Sequence, residues 1–95
     1  MGQVIWAPSA IEDADSIAAY IARDSVEQAS LFITRLLEAT DRLREFPMSG
    51  RDVPEIGDQA SREVICGSYR IMYRLKGKNA WIVAVVHGAR DWAPE

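Results

Sequence analysis

His87, the single histidine of the chain, and Arg90 three residues later are the side chains best suited to acid–base chemistry on an anion. An imidazole titrates near neutral pH, and a guanidinium stabilises negative charge on a phosphate. A metal-free ribonuclease needs an acid and a base on opposite sides of the scissile phosphate, with cationic donors around it. The candidates for such a set are Glu55, Arg62, Arg70, His87 and Arg90. The alternative, a histidine that packs or caps at a strand end, is favoured from the sequence alone.

Other catalytic and cofactor sites lack their motifs in this sequence. Cys66 is the only cysteine, so the chain has no internal disulfide and no Cys-x-x-Cys pair that could hold zinc. No serine stands in a Gly-x-Ser-x-Gly motif, and no glycine-rich phosphate loop occurs. We therefore expect no metal and no cofactor.

The arginines near the hairpin turn at Gly67 and Ser68 fall on two different faces of a predicted sheet. Counting outward from this turn, Arg62 lies opposite Tyr73, whereas Arg70 and Arg74 point to the other face. The pattern favours separate salt bridges over a single phosphate-binding stripe. Met72, between Arg70 and Arg74, is a candidate for a partner-binding patch.

The elements that position these residues are predicted to be a strand, two helices and three further strands. Gln3 to Trp6 is a short apolar run that Pro8 closes. Ser9 and Ser25 each begin a capping box, which predicts one helix from Ser9 and a second from Ser25 that continues to Pro47. The second helix carries apolar residues at helical spacing, Val26 and Leu37 among them. A loop over 47–61 precedes strands at Arg62 to Cys66, Tyr69 to Leu75 and Ala80 to His87.

The three later strands are predicted to form an antiparallel meander. In the middle strand, Tyr69 and Ile71 belong to the core face, while Arg70, Met72 and Arg74 belong to a face exposed to water. The last strand is apolar on both faces, which is typical of a central strand. We expect it to pair with the N-terminal strand as well as with the meander. The fold class is therefore α+β.

Length, composition and charge narrow the class of protein. With 95 residues, 48% hydrophobic and 26% charged, the chain is predicted to be one folded domain over residues 1–95. Its net charge is −3, yet residues 61–90 carry six basic side chains and one acidic one, for a net charge of +5. The overall sign argues against strong non-specific nucleic-acid binding. The longest apolar run, Ala80 to Val86, is too short for a membrane span, and we expect a soluble, cytoplasmic protein.

The order of several short motifs resembles the RelE/ParE superfamily of bacterial type II toxin–antitoxin toxins, and its ParE branch in particular. The resemblance covers nearly the whole chain. The motifs are Trp6-x-Pro8-x-Ala10, Tyr20-Ile21-Ala22-x-Asp24-Ser25, Phe46-Pro47-x-x-Gly50-Arg51-x-Val53-Pro54-Glu55, Arg62-Glu63, Tyr69-Arg70-Ile71-x-Tyr73 and His87-x-x-Arg90.

This resemblance implies a helical hairpin packed on an antiparallel sheet, a cognate ParD-like antitoxin and a toxin–antitoxin hetero-oligomer. It also implies one of two targets, DNA gyrase or ribosome-bound messenger RNA. Relatives that cleave messenger RNA are strongly basic and carry a C-terminal Tyr or His-Tyr pair, whereas here His87 precedes Gly88. The departure favours gyrase inhibition, with a ribosome-dependent endoribonuclease as the alternative.

A third alternative is a degenerate toxin that mainly sequesters its antitoxin. For partner binding, the sequence nominates the basic and C-terminal side chains, and we expect an acidic, apolar antitoxin segment to cover them. These candidates are Arg51, Arg70, Met72, Arg74, His87, Arg90 and Trp92.

Overall fold

A computed structural model describes residues 1–92. Two helices pack on one face of a five-stranded mixed sheet whose spatial order is β1-β5-β4-β3-β2. β1 runs parallel to β5, and the other neighbours are antiparallel. This α+β arrangement confirms the predicted fold class. In chain order, the elements are β1 Val4–Trp6, α1 Pro8–Ala22, α2 Val26–Asp41, β2 Arg51–Asp52, β3 Ser61–Cys66, β4 Tyr69–Lys76 and β5 Asn79–His87.

One of the two predicted helix caps is confirmed and the other is wrong. The Ser25 hydroxyl accepts a hydrogen bond from the backbone N–H of Gln28 at 3.1 Å, so Ser25 caps α2. α1 instead begins at Pro8, after Ala7. Proline suits the first position of a helix because its fixed φ is already helical and its missing N–H would have no partner there. Ser9 therefore lies inside the helix and is not its cap.

The Ser9 and Asp13 side chains bind the backbone of β5 at an irregularity. The pairing of β4 with β5 shifts register between Met72 and Tyr73, which leaves Val83 as an extra residue in β5. Ser9 Oγ donates to the Val83 carbonyl at 2.8 Å, and Asp13 Oδ2 accepts from the Val85 N–H at 3.0 Å. β1 ends at Trp6, so these two helix side chains supply partners to β5 beyond the last paired residue of β1.

The second helix ends before Pro47, where the sequence pattern had placed its end. α2 closes at Asp41 and tightens into a 3₁₀ turn over Arg42–Arg44. The predicted loop over 47–61 also contains the two-residue strand β2, which pairs with Arg62 and Glu63 of β3. Of the described residues, no helix is long and apolar enough to cross a membrane.

The register of the meander follows the prediction. Arg62 pairs with Tyr73, Val64 with Ile71 and Cys66 with Tyr69, and β5 lies between β1 and β4. The turns at Gly67 and Gly77 place these glycines at φ of 59° and 62°, which side-chain-bearing residues rarely adopt. Glycine at these two positions thus allows the tight turns that set the register.

The main core lies between the helices and the sheet. Leu36, Leu43, Ile71, Tyr73 and Ile82 are its largest fully buried side chains. Some apolar helix positions do not join it: Val26 is 70% exposed and Leu37 is 54% exposed, although both fit the helical spacing.

The face of the sheet opposite the helices is covered, whereas the sequence predicted that it is exposed to water. Met72 is fully buried there with Val53 and Ala84, and Trp92 packs against this cluster. Arg70 on the same face is 5% exposed. The cover comes from the segment after β2 and from the chain after β5. Neither has a periodic pattern, so the sequence did not predict that they return to the sheet.

Candidate functional site

A buried cluster of charged groups is centred on Arg70 of β4. Glu63 lies on the neighbouring strand and points to the same face, because it pairs with Met72, two residues from Arg70. Arg70 Nη2 and Nε donate to Glu63 Oε1 at 2.5 and 3.1 Å. On its other side, Arg70 donates from Nη2 and Nη1 to the two carboxylate oxygens of Glu55, each at 2.7 Å. One guanidinium is thus bound between two carboxylates.

A second arginine completes the cluster. Arg51 of β2, whose side chain is 63% exposed, donates from Nε and Nη2 to Glu63 Oε2 at 2.7 and 2.6 Å. The two guanidinium groups and two carboxylates therefore balance in charge. Because the Glu63 side chain is fully buried, this balance is what allows a carboxylate to lie there.

The hydrogen bonds of the cluster shift the protonation of its members. The hydrogen bonds from Arg70, followed by the Trp92 N–H, lower the pKa of Glu55 from 4.5 to about 2. The hydrogen bonds to Glu55 and Glu63 raise the pKa of Arg70 above its ordinary value. Arg70 is therefore a permanent cation whose donors are already engaged.

The cluster also binds the C-terminal strap, which we define as residues 88–92. Arg70 Nη1 donates to the Arg90 carbonyl at 2.9 Å, and the Trp92 N–H donates to Glu55 Oε2 at 2.9 Å. At the start of the strap, the Gly88 N–H donates to the Ser68 carbonyl at 2.7 Å. The strap thus lies over the outer face of the sheet, with the Arg90 residue exposed.

Arg62 has a different role, on the helix-facing side of the sheet. Its Nη1 donates to the carbonyls of Met48 and Gly50 at 3.2 and 2.9 Å, and its Nε donates to the carbonyl of Gln59 at 3.1 Å. These bonds hold two stretches of the segment between α2 and β3 against β3. The Arg62 side chain organises this segment and is not a free cation.

His87 lies at the end of β5 against Tyr69. The two rings meet edge to face, with their centroids 5.7 Å apart, and Tyr69 makes a similar contact with Phe32 at 5.2 Å. His87 Nδ1 accepts a hydrogen bond from the Ala89 N–H at 3.2 Å. Because His87 pairs with Tyr69, it points to the helix-facing side, away from the side of Arg70.

The candidates for ribonuclease chemistry therefore do not form one cluster. Glu55 and Arg70 are bonded to each other, and Arg90 joins them only through its carbonyl. Arg62 and His87 belong to the other side of the sheet. Within residues 1–92, no group of three His, Cys, Asp or Glu side chains is placed to hold a metal ion.

The candidates for partner binding divide by exposure. Arg51, His87 and Arg90 are exposed. The Arg74 side chain is 43% exposed, and its Nη1 donates to Ser61 Oγ at 2.7 Å. Arg70 and Met72 are buried under the segment after β2 and the strap, so neither side chain is available at the surface of this chain.

An apolar groove between α1 and α2 was not among the sequence candidates. Its cavity volume is about 290 Å³, and Ile11 and Leu37 on its walls are 47% and 54% exposed. Asp15 also lines it, and an adjoining hollow beside β1 includes Glu38 and Asp41. The sequence did contain an indication of this groove, because α1 and α2 carry more apolar residues than one buried face of each helix needs. The remaining apolar lining residues are Trp6, Ala14, Ile33 and Leu36.

Comparison with known proteins decides the family. The model of the family described as ParE toxin of type II toxin-antitoxin system, parDE, matches residues 4–92. The chain belongs to the ParE toxin family. A ParE toxin is one component of a two-protein system, and membership implies a cognate antitoxin as partner.

One relative is similar to this chain in sequence, and one solved structure is similar to it in fold. The Sinorhizobium fredii protein named "Putative toxin Y4kP" is 30% identical over 92 residues, covering 95% of this chain and 92% of the relative. A solved structure titled "Chromosomal ParDE TA system from P. aeruginosa" contains a chain with the same fold, at a TM-score of 0.74 and 21% identity. That match covers 92% of this chain and 96% of the other.

Proposed function

We propose that this ParE-family chain is a toxin that inhibits DNA gyrase by binding and is neutralised by a ParD-like antitoxin in a cytoplasmic hetero-oligomer. Residues 1–95 act as one toxin domain without a metal or cofactor. The observation that carries the non-enzymatic assignment is the state of Arg70. This central cation of the candidate nuclease set is 5% exposed and bound by two carboxylates.

Cleavage of messenger RNA, the alternative, is poorly supported by this geometry. A nuclease needs uncompensated cations and a proton-transfer pair on either side of one phosphate. Here the charge of Arg70 is balanced by Glu55 and Glu63, and His87 points to the other side of the sheet. A phosphate approaching Arg70 would also meet the carboxylates that already occupy its donors.

The target-binding surface, in this proposal, is centred on the exposed Arg90 of the strap, with Arg51 on the same face of the sheet. Arg51 keeps an exposed guanidinium even though it contacts Glu63, and Arg90 is exposed in the strap. His87, at the end of β5, is exposed nearby but points to the other face of the sheet. Trp92 of the strap borders this surface and is partly exposed, whereas Arg74 lies toward the other end of β4, where it pairs with Trp81. Charged groups of one sign speed and orient the approach of a partner of opposite sign.

The decisive experiment compares gyrase and the ribosome as targets of the purified chain. We expect inhibition of DNA supercoiling with accumulation of cleaved DNA, and intact messages in a ribosome-dependent cleavage assay. His87→Ala and Arg90→Ala are tested in both assays, with folding checked by circular dichroism. Strong message cleavage by the wild type that disappears in folded His87→Ala would establish the nuclease instead, because removing a general acid or base costs about a hundredfold or more.

The antitoxin contact is proposed for the groove between α1 and α2. The walls are apolar, and the carboxylates of Asp15 and Glu38 lie in or beside it, while Asp41 is paired with Arg44 at 2.6 Å. Charge complementarity therefore favours an antitoxin segment with an apolar ridge flanked by Lys or Arg, rather than the acidic segment expected from the sequence.

Co-expression with the product of the neighbouring reading frame tests this contact. We expect a stable complex with the wild type and a weakened one with Leu37→Glu, which places a charge on the groove wall. Glu27→Gln, at an exposed position near the start of α2, is the control. Retained binding by Leu37→Glu would exclude the groove. A chain that binds antitoxin but affects neither gyrase nor messages would be the degenerate toxin.

A further inference from the structure

Glu55 has bonds to two segments that are remote in sequence. It belongs to the segment after β2, where the N–H groups of Ile56 and Gly57 donate to the Val53 carbonyl at 3.1 and 3.0 Å. Its carboxylate accepts from Arg70 of the sheet and from the Trp92 N–H of the strap. One side chain therefore joins a loop, a strand and the C-terminal strap.

Residues 89–92 of the strap depend on Glu55 and Arg70 for their attachment to the rest of the molecule. Within the described residues, the Arg90 N–H bonds to His87 and the Ala89 N–H bonds to His87 Nδ1, both inside the same turn. Among residues 1–92, the hydrogen bonds from residues 89–92 to the rest of the chain are those between the Arg90 carbonyl and Arg70 and between the Trp92 N–H and Glu55. Removing the Glu55 carboxylate removes one of these two bonds and leaves Arg70 bound on one side only, by Glu63.

The same two segments cover the same apolar surface. Val53 and Ile56 come from the loop and Trp92 comes from the strap, and all three pack over Met72 and Ala84. If one segment lifts, the apolar contact of the other is exposed to water along that edge, which favours lifting of both.

We propose that Glu55 is a positioning residue that ties residues 53–57 and the strap into one cover, which opens and closes as a unit and fixes the position of Arg90 for target binding. The cover itself follows from the contacts described above. Its part in target binding rests on the proposed gyrase inhibition.

The cover is tested with full-length Glu55→Gln, which keeps the size of the side chain and removes its charge. Residue-resolved hydrogen exchange should be accelerated by at least about tenfold at Ile56, Gly57 and Trp92 together, because glutamine has no charge and keeps one acceptor oxygen where Glu55 uses two. Amides of β4 and β5 should keep their rates, which also verifies that the variant is folded. The control is Asp52→Asn, which removes a charge from an exposed residue that has no ion pair among the described residues.

A second variant tests whether residues 53–57 and the strap open together. Trp92→Ala removes strap packing without touching the loop sequence, and we expect the amides of Ile56 and Gly57 to exchange faster in this variant too. Unchanged loop exchange in Trp92→Ala, or acceleration of only one segment in Glu55→Gln, would overturn the single cover. Equal acceleration throughout β4 and β5 would mean global destabilisation and would also overturn it.

Supercoiling inhibition tests the positioning role. Glu55→Gln should weaken inhibition by about tenfold, because the strap loses its preorganised position, while antitoxin binding at the distant groove is retained. Faster cover exchange with unchanged inhibition would overturn the positioning role. If the wild type does not inhibit gyrase, the proposed target is wrong, and the exchange data still decide whether the cover exists.

Discussion

At the scale of single residues, Tyr73 connects the sheet by hydrogen bonds to the segment that follows α2. Its side chain is buried, and burial raises the pKa of its hydroxyl. The hydroxyl donates to the Pro47 carbonyl at 2.7 Å and accepts from the Gly50 N–H at 2.9 Å. Gly50 has no room for a side chain, because an added Cβ would lie 2.7 Å from the Glu63 carbonyl oxygen.

Tyr73→Phe should destabilise the protein by about 1–3 kcal/mol, because the N–H of Gly50 and the carbonyl of Pro47 lose their partner. Chemical denaturation measures the change in the free energy of unfolding. Tyr20→Phe is the matched control, since Tyr20 is 67% exposed and its loss of a hydroxyl should change stability by less than about 0.5 kcal/mol. Equal effects in the two variants would contradict the role of Tyr73.

Glu55 makes stability depend on pH in the acidic range. Its pKa is about 2 in the folded chain against an ordinary value of 4.5, so the unfolded chain takes up a proton first as the pH falls. The contribution is fully present above the ordinary value and is lost as the pH falls toward the folded value. The difference in unfolding free energy between wild type and Glu55→Gln should therefore shrink between about pH 5 and pH 2. A difference that stays constant over this range would contradict the ion pair.

Residue roles were predictable only where the contact is local. The Ser25 cap lies within one turn of its partner, and its spacing in sequence predicted the bond. The same spacing at Ser9 gave a wrong prediction, because Pro8 already begins α1. The partners of Arg70 are 7, 15 and 20 residues away, and those of Arg62 are up to 14 residues away. Counting residues outward from the Gly67-Ser68 turn placed these arginines on the correct faces of the sheet. The irregular segments that supply their partners have no periodic pattern, so their positions could not be predicted.

At the scale of elements, the contact of α1 with β5 depends on two short polar side chains. The extra residue at Val83 disrupts regular pairing, and Ser9 and Asp13 bond to the backbone around it. Neither residue was predicted for this role, because a β-bulge has no clear mark in a run of apolar residues.

Asp13→Ala should destabilise the protein by about 1.5–3 kcal/mol, and Ser9→Ala by about 1 kcal/mol, because the first removes a hydrogen bond to a charged group. The Val85 amide should exchange faster in Asp13→Ala. Glu12→Ala serves as the control, since Glu12 is exposed and adjacent in the same helix. Unaltered exchange of Val85 in folded Asp13→Ala would refute the contact.

The elements themselves were mostly predictable. The turn glycines, the capping serine and the alternating strand pattern predicted the helices and the meander. The observed ends differ from the predicted ends by few residues, except at the end of α2. The cover on the face of the sheet opposite the helices was not predictable. Arg70, Met72 and Arg74 alternate with apolar residues, which is typical of a strand with one face exposed to water. Two carboxylates compensate the buried Arg70, and a tryptophan from the strap helps to cover Met72.

At the scale of the whole molecule, the two apolar clusters share one sheet. Ile71 and Tyr73 face the helices, while Met72 between them faces the loop and the strap. Global unfolding of β4 and β5 therefore removes both clusters together.

We expect one cooperative unfolding transition for the whole chain, as for most small domains. Denaturation followed by circular dichroism and by tryptophan fluorescence should give the same midpoint. The fluorescence is measured in Trp92→Phe, so that opening of the strap alone is not detected. Separate midpoints would mean that the clusters unfold independently, and that residues 1–95 are not one folding unit.

The lengths of the outer strands have a consequence for the toxin once its antitoxin is gone. β1 has three residues and β2 has two, whereas the strands between them have six to nine. Long exposed edges invite other chains to add strands, and short edge strands are one way in which proteins avoid such aggregation. On a released toxin, β1 and β2 themselves should therefore offer only two or three residues to an added strand.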